Sequence, residues 1–126
     1  MTDITPAVAA GRQVIQGYGA GGFRIAGKAL TGSVIIFSER TVPWDAESYE
    51  NISRQSLSAV FDEATDIEVL LIGCGARTGL PRPDIRDALR LVSVVPEWMD
   101  TGAACRTFNV LLSEDRAVAA ALIAIE

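Results

Sequence analysis

The stretch Ile67-Glu68-Val69-Leu70-Leu71-Ile72-Gly73-Cys74-Gly75 is almost continuously apolar and stops abruptly at two glycines. A run of this length fits one β-strand buried on both faces, and it falls well short of a membrane-spanning helix. A strand covered on both faces needs a layer of structure on each side, which places the chain in the α/β class. The paired glycines permit a tight turn with exposed backbone. In open α/β sheets, ligands bind beyond that end of the strands. The segment therefore marks where a site would lie without specifying its chemistry.

The 126 residues are most simply one domain, with 1–11 a loose tail and 12–126 a single α/β unit. A chain of this size buries roughly two-thirds of its unfolded surface, so a core needs neither disulfide nor metal. The sequence contains no histidine. That excludes Ser-His-Asp and Cys-His catalysis, His-ligated zinc and the imidazole proton shuttle. The formal net charge is -5, and of 11 basic residues only Lys28 is a lysine. Nucleic acid and anionic membrane are poor partners for such a chain. Cys74 and Cys105 match no metal spacing and fit reduced thiols in a cytoplasm. The N-terminus carries neither a secretory nor a transit signature, and no apolar run approaches the roughly 18 residues of a membrane span. No metal or cofactor is expected.

Two short strands, Val14-Ile15 and Phe23-Arg24-Ile25, flank a glycine-rich turn at 17–22. A further turn is predicted at Gly27–Leu30, then a buried strand at 32–37, completing a β meander. Residues 41–49 read as irregular. Ser53 is placed to cap a helix running to Ala64, with Leu57, Val60, Phe61 and Ala64 on one face. After the strand from Ile67, residues 78–83 read as loop and Pro83 suits a first helical turn. Ile85, Ala88, Leu89 and Val92 form the apolar stripe of that helix. Val94–Met99 reads as a short strand, and Asp100 or Thr101 caps a helix carrying Ala104, Phe108, Leu111 and Leu112. Ala117–Ile125 closes the chain as a strand or a helix, with β-branched residues favouring a strand. Strand and helix alternate from Ile67 onward, which implies parallel crossovers.

Gly17, Gly19 and Gly22 match Gly-x-Gly-x-x-Gly, but a strand follows where a dinucleotide fingerprint needs a helix. Gly73-Cys74-Gly75 sits more suggestively between strand and helix, with Glu97 near the end of the next strand. Pro81 and Pro83 delay that helix, so its dipole does not reach an anion at the glycines. Cys74 is a candidate nucleophile if backbone amides lower its pKa, though no histidine can serve as its base. Cys105 reads as packing. Asp84 and Asp87 suit a helix N-terminus, with Arg86 and Arg90 downstream, and need no catalytic role. Glu114 and Asp115 read as a polar turn, and Trp44 and Trp98 as core anchors or contact residues.

Several motifs stand in a fixed order: Phe23 and Gly27, Gly32-Ser33, Trp44, Leu71–Gly75, Glu97-Trp98-Met99-Asp100-Thr101, Ala104–Leu111, and a Glu-Asp-Arg-Ala-Val-Ala-Ala-Ala-Leu tail. Over residues 14–126 the chain resembles the small Mth-type domain family of unknown function, which includes a mitochondrial respiratory complex I assembly factor. The resemblance implies a three-layer α/β fold. An N-terminal β-hairpin or meander with a helix lies on one side of a central mixed sheet, and helices lie on the other. It also implies a final strand, and a pocket where Gly73, Gly75, Thr101, Thr107 and Asn109 gather. Many relatives carry Thr where this chain has Cys74, which puts hydroxyl chemistry there in doubt. Without a transit segment, the chain reads as a bacterial, cytoplasmic relative.

The residues support two functions. One is a non-enzymatic interaction or assembly module with a protein partner, by resemblance in respiratory-complex assembly. The other is a small-molecule binder or enzyme at the Gly73-Cys74-Gly75 turn, with Arg77 supplying charge and Thr101, Thr107 and Asn109 supplying hydrogen bonds.

Overall fold

A computed structural model describes residues 2–4 and 11–126. Strands β1 (Thr2–Asp3), β2 (Ile15–Gly19), β3 (Gly22–Ile25) and β4 (Lys28–Thr31) form an antiparallel sheet in that order. The early glycine motif closes the β2–β3 hairpin. Gly19 pairs with Gly22 across Ala20 and Gly21, whose φ angles are +54° and +77°. Two successive positive φ values make the tight turn whose twist matches the flanking strands.

The turn predicted at Gly27–Leu30 is displaced. Ala26 and Gly27 form the turn, with φ of +50° and +81°, and Lys28–Thr31 is strand. Alanine stands where Asn or Asp would have announced such a turn, so its signal is weak. Thr2 and Asp3, read from sequence as part of a loose tail, pair with Tyr18 and Gly17. Residues 5–10 of that expected tail lie outside the described residues.

The second sheet contains β5 (Val34–Ile36), β6 (Thr41–Pro43), β7 (Val69–Gly73), β8 (Val95–Met99) and β9 (Val118–Leu122), ordered β6-β5-β9-β7-β8. β7 runs parallel to both β8 and β9, and β5 runs antiparallel to β9, so the sheet is mixed. Helices α1 (Ser58–Asp62), α2 (Pro83–Arg90) and α3 (Thr101–Ser113) complete the fold among the described residues.

The strand period of two sorts the core into two halves. Leu70, Ile72, Ala119, Ala121 and Ile35 face Val60 of α1 and Ile85 and Leu89 of α2. Leu71, Ala120, Leu122, Val34 and Ile36 face Ala104, Cys105, Phe108 and Leu112 of α3, together with Ile15, Phe23 and Ile25 of the first sheet. The result is three layers, as the family resemblance implies. Each buried Leu, Ile or Val contributes about 1.5–3 kcal/mol. The last segment is a strand, with Val118–Leu122 buried throughout.

Two further expectations change. Residues 41–43, read as irregular, form edge strand β6. The helix expected over Ser53–Ala64 is confined to Ser58–Asp62. Before it, the Ser56 N–H donates to Ser53 Oγ at 3.0 Å, and after it a 3-10 turn spans Ala64–Asp66. Serine side chains that bond locally compete with helix, and here they shorten it. Leu57, Val60 and Ala64 still reach the core. Trp44 is also core, its Nε1 donating to the Ser56 carbonyl at 2.9 Å, while Trp98 is half-buried against the same cluster.

Both edges of the mixed sheet carry a proline. Val95 N–H donates to Glu68 O, and Cys74 N–H donates to Met99 O. Alternation along a parallel strand then turns Val95, Glu97 and Met99 towards β7 and leaves the Pro96 backbone facing outward. On the other edge, Trp44 N–H donates to Ser33 O and Phe37 N–H to Arg40 O, which turns Pro43 outward. At these positions the missing N–H breaks no ladder bond, and it blunts an exposed edge.

Candidate functional site

At the C-terminal end of β7, the chain bends through Gly73-Cys74-Gly75 against the start of α3. Asp100 caps that helix, its Oδ1 accepting from the Ala103 N–H at 2.9 Å. The cap aims Thr101 at the bend. Thr101 Oγ1 accepts from the Gly75 N–H at 3.0 Å and donates to the Ile123 carbonyl at 2.7 Å. The main chain adds three bonds: Thr101 N–H to Gly75 O at 2.8 Å, Cys74 N–H to Met99 O at 2.8 Å, and Ile123 N–H to Gly73 O at 2.9 Å.

Both glycines are needed for geometry. A Cβ on Gly73 would stand 3.0 Å from Thr101 Cα and 3.1 Å from its Oγ1, and Gly75 has φ +106°. Thr101 has 0% exposure. From α3 its hydroxyl ties together the residues that follow β7 and β9, so the convergence is a closed knot.

Cys74 is 7% exposed, and its Sγ lies 3.5 Å from the Ile72 carbonyl. Burial pushes its thiol up, opposed by the backbone amides of Gly79 and Met99. The activated thiolate considered from sequence is therefore disfavoured, since reactivity requires the ionised form. Tyr49 lies close by. Its ring lies against Gly79 and leaves no room for a Cβ there, and the Arg82 guanidinium stands 5.9 Å from the ring centre. The Tyr49 hydroxyl is buried without a hydrogen-bond partner among the described residues. Burial and then the Cys74 charge raise its pKa.

Of the predicted site residues, Gly73, Cys74, Gly75 and Thr101 come together. Arg77 is exposed in the loop beyond the bend. Thr107 is half-buried further along α3. Asn109 lies two helical turns from Thr101, roughly 12 Å away. There it pins α3 to β2: Oδ1 accepts from the Ile15 N–H at 2.9 Å, while Nδ2 donates to the carbonyls of Ile15 at 2.8 Å and Ile4 at 3.3 Å. Tyr49 was not legible as a neighbour of Cys74, because it arrives from an irregular segment with no periodic signal. Glu97 is exposed on edge strand β8. Among the described residues no group of three or more metal-ligating side chains forms, and no helix is long and apolar enough to cross a membrane.

A family model described as a protein of unknown function (DUF498/DUF598) matches residues 15–123. A Danio rerio protein named NADH dehydrogenase (ubiquinone) 1 alpha subcomplex assembly factor 3 is 38% identical over 110 residues, covering 87% of this chain and 63% of that protein. The chain thus spans less than two-thirds of that relative's length. A crystal structure described as an outer membrane protein from Bartonella henselae is 42% identical, with TM-score 0.87, over 93% of this chain and 98% of that one. A solution structure from Bordetella pertussis, described as a Mth938-like domain, shares the fold at TM-score 0.83 and 24% identity, over 98% of this chain and 92% of that one.

Proposed function

From the premise that this chain belongs to the DUF498/DUF598 family of proteins of unknown function and carries the Mth938-like fold, we propose that it is a non-enzymatic interaction module of the assembly-factor kind. The observation that carries this reading is its 38% identity to a protein named as an assembly factor for NADH dehydrogenase. The closed bend supports it, because the Thr101 hydroxyl is committed to Gly75 and Ile123. Its partner on this reading is a subunit or intermediate of a respiratory complex. Its place is the cytoplasm, a location that the unpaired, buried Cys74 and Cys105 favour.

The test is affinity purification of the tagged full chain from its native host, paired with native-gel quantification of NADH dehydrogenase in a deletion strain. The reading predicts co-purifying subunits and a loss of assembled complex. A chain that elutes alone, with the complex intact in its absence, contradicts it.

A second reading is a small-molecule site beside Gly73, Cys74 and Gly75, extended by Arg77 and Thr101. The Tyr49 hydroxyl near Cys74, without a hydrogen-bond partner among the described residues, favours it. Thermal-shift screening of metabolites and nucleotides tests it. A ligand at a hundred times its Kd stabilises by about 2.7 kcal/mol. No shift, together with a Cys74 inert to thiol probes, removes it.

A further inference from the structure

Arg82 is the N-cap of α2, and Arg86 and Arg90 follow within the helix at i+4 and i+8, a spacing that brings like charges onto one side. Such an arrangement works against the helix by itself. Arg82 is neutralised, pairing with Asp84 at 3.2 Å and donating to the Tyr49 carbonyl at 3.4 Å. Among the described residues Arg86 pairs only with the adjacent, exposed Asp87, at 3.5 Å. Arg90 forms no ion pair among the described residues and is exposed. Its place in the last turn suits the helix dipole, yet that accounts for one cation and not for a second one turn before it.

These two arginines line a groove of about 520 Å³ between α2 and edge strand β8. Ser93, Val94, Val95 and Pro96 complete its walls. Ser93 adopts φ +62°, which turns the chain sharply from α2 into β8. Two large apolar residues are exposed here: Leu91, next to Arg90 in the chain, at 87%, and Val95, in the groove wall, at 52%. Basic walls with apolar flanks are the composition of a protein-contact surface rather than of a solvated face. Pro96 offers no N–H to the open edge, so an occupant is held by side chains rather than by β-strand addition.

We propose that the α2–β8 groove is where this module takes its partner, and that the occupant is an acidic protein segment with interspersed apolar residues. Its carboxylates pair with Arg86 and Arg90, and its apolar side chains cover Leu91 and Val95. Charge complementarity selects the occupant: two under-compensated guanidiniums on a chain of net charge -5 form a local basic site for carboxylates. The inference rests on the interaction-module reading and specifies its surface.

The test compares three full-length tagged chains: wild type, Arg86→Glu/Arg90→Glu, and Arg24→Glu as a charge-reversal control at the one exposed position of β3. Each is first shown to fold with the same Tm. The double variant loses the co-purified partner by about tenfold or more, while the control retains it. A partner held equally by all three chains overturns the groove and leaves the module reading standing. Wild type alone capturing nothing removes the module reading.

A second arm tests the groove directly. A synthetic Asp-, Glu- and Leu-containing peptide is titrated into labelled protein and followed by NMR. Shifts gather at Arg86, Arg90, Leu91 and Val95, and they weaken with added salt. Shifts elsewhere, or none, overturn the proposal. So does an equal response to a single-stranded oligonucleotide, which would identify a general anion site.

Discussion

Removing the Thr101 hydroxyl by Thr101→Val strands two buried groups at once, the Gly75 N–H and the Ile123 carbonyl. Each unsatisfied group costs about 1–3 kcal/mol, so the variant loses roughly 3 kcal/mol in denaturant unfolding. Thr101→Ser keeps the hydroxyl and loses about 1 kcal/mol, chiefly from the missing methyl. Equal losses would mean that the hydroxyl is not what closes the bend. Cys105 gives a pH test at the same scale. Burial pushes its thiol up to about 12 from an ordinary 9.0. Below pH 9 the folded and unfolded chains both hold this proton, and stability is unaffected by it. Between pH 9 and 12 the unfolded chain releases a proton that the fold retains, so stability falls as pH rises. One unit above pH 9 the loss is on the order of 1 kcal/mol. Cys105→Ala shows a shallower alkaline decline in urea midpoints. Cys74 and Tyr49, also raised, keep the decline from vanishing.

Among the elements, edge strand β8 is defined as much by what it withholds as by what it packs. Pro96 occupies an outward-facing backbone position, and its ring denies the open edge one donor. Pro96→Val restores that N–H without breaking a ladder bond. The expected outcome is a concentration-dependent rise in mass by light scattering at nearly unchanged Tm. A variant that stays at wild-type mass would show that the proline does not guard the edge. Helix α3 is held from both ends, by the Thr101 knot on β7 and by Asn109 on β2. Asn109→Ala frees the Ile15 N–H and carbonyl within the core and costs about 3 kcal/mol in denaturant unfolding. A cost below about 1 kcal/mol would mean that packing alone docks the first sheet.

Across the whole molecule, the parts legible in sequence were those with strong periodicity. The Ile67–Gly75 run announced a doubly covered strand, and it became β7 beneath two half-cores. Pro83 and the Ile85–Leu89 spacing announced α2. Local chemistry was harder to read. Ala26-Gly27 forms a turn without Asn or Asp, β6 ends in a proline, and paired serines shorten α1. Gly73, Gly75 and Thr101 meet where strand end and helix cap converge. Asn109 instead bonds the Ile15 backbone, because a polar residue within a helical stripe does not reveal whether it faces a ligand or another strand's backbone. The account makes the bend a structural knot and assigns function to a surface. The most direct test is the amount of assembled NADH dehydrogenase in a deletion host complemented with Cys74→Ala at matched protein abundance. The account predicts restoration to the wild-type level. Failure of that variant, with wild type restoring the complex, would contradict it and return chemistry to the turn.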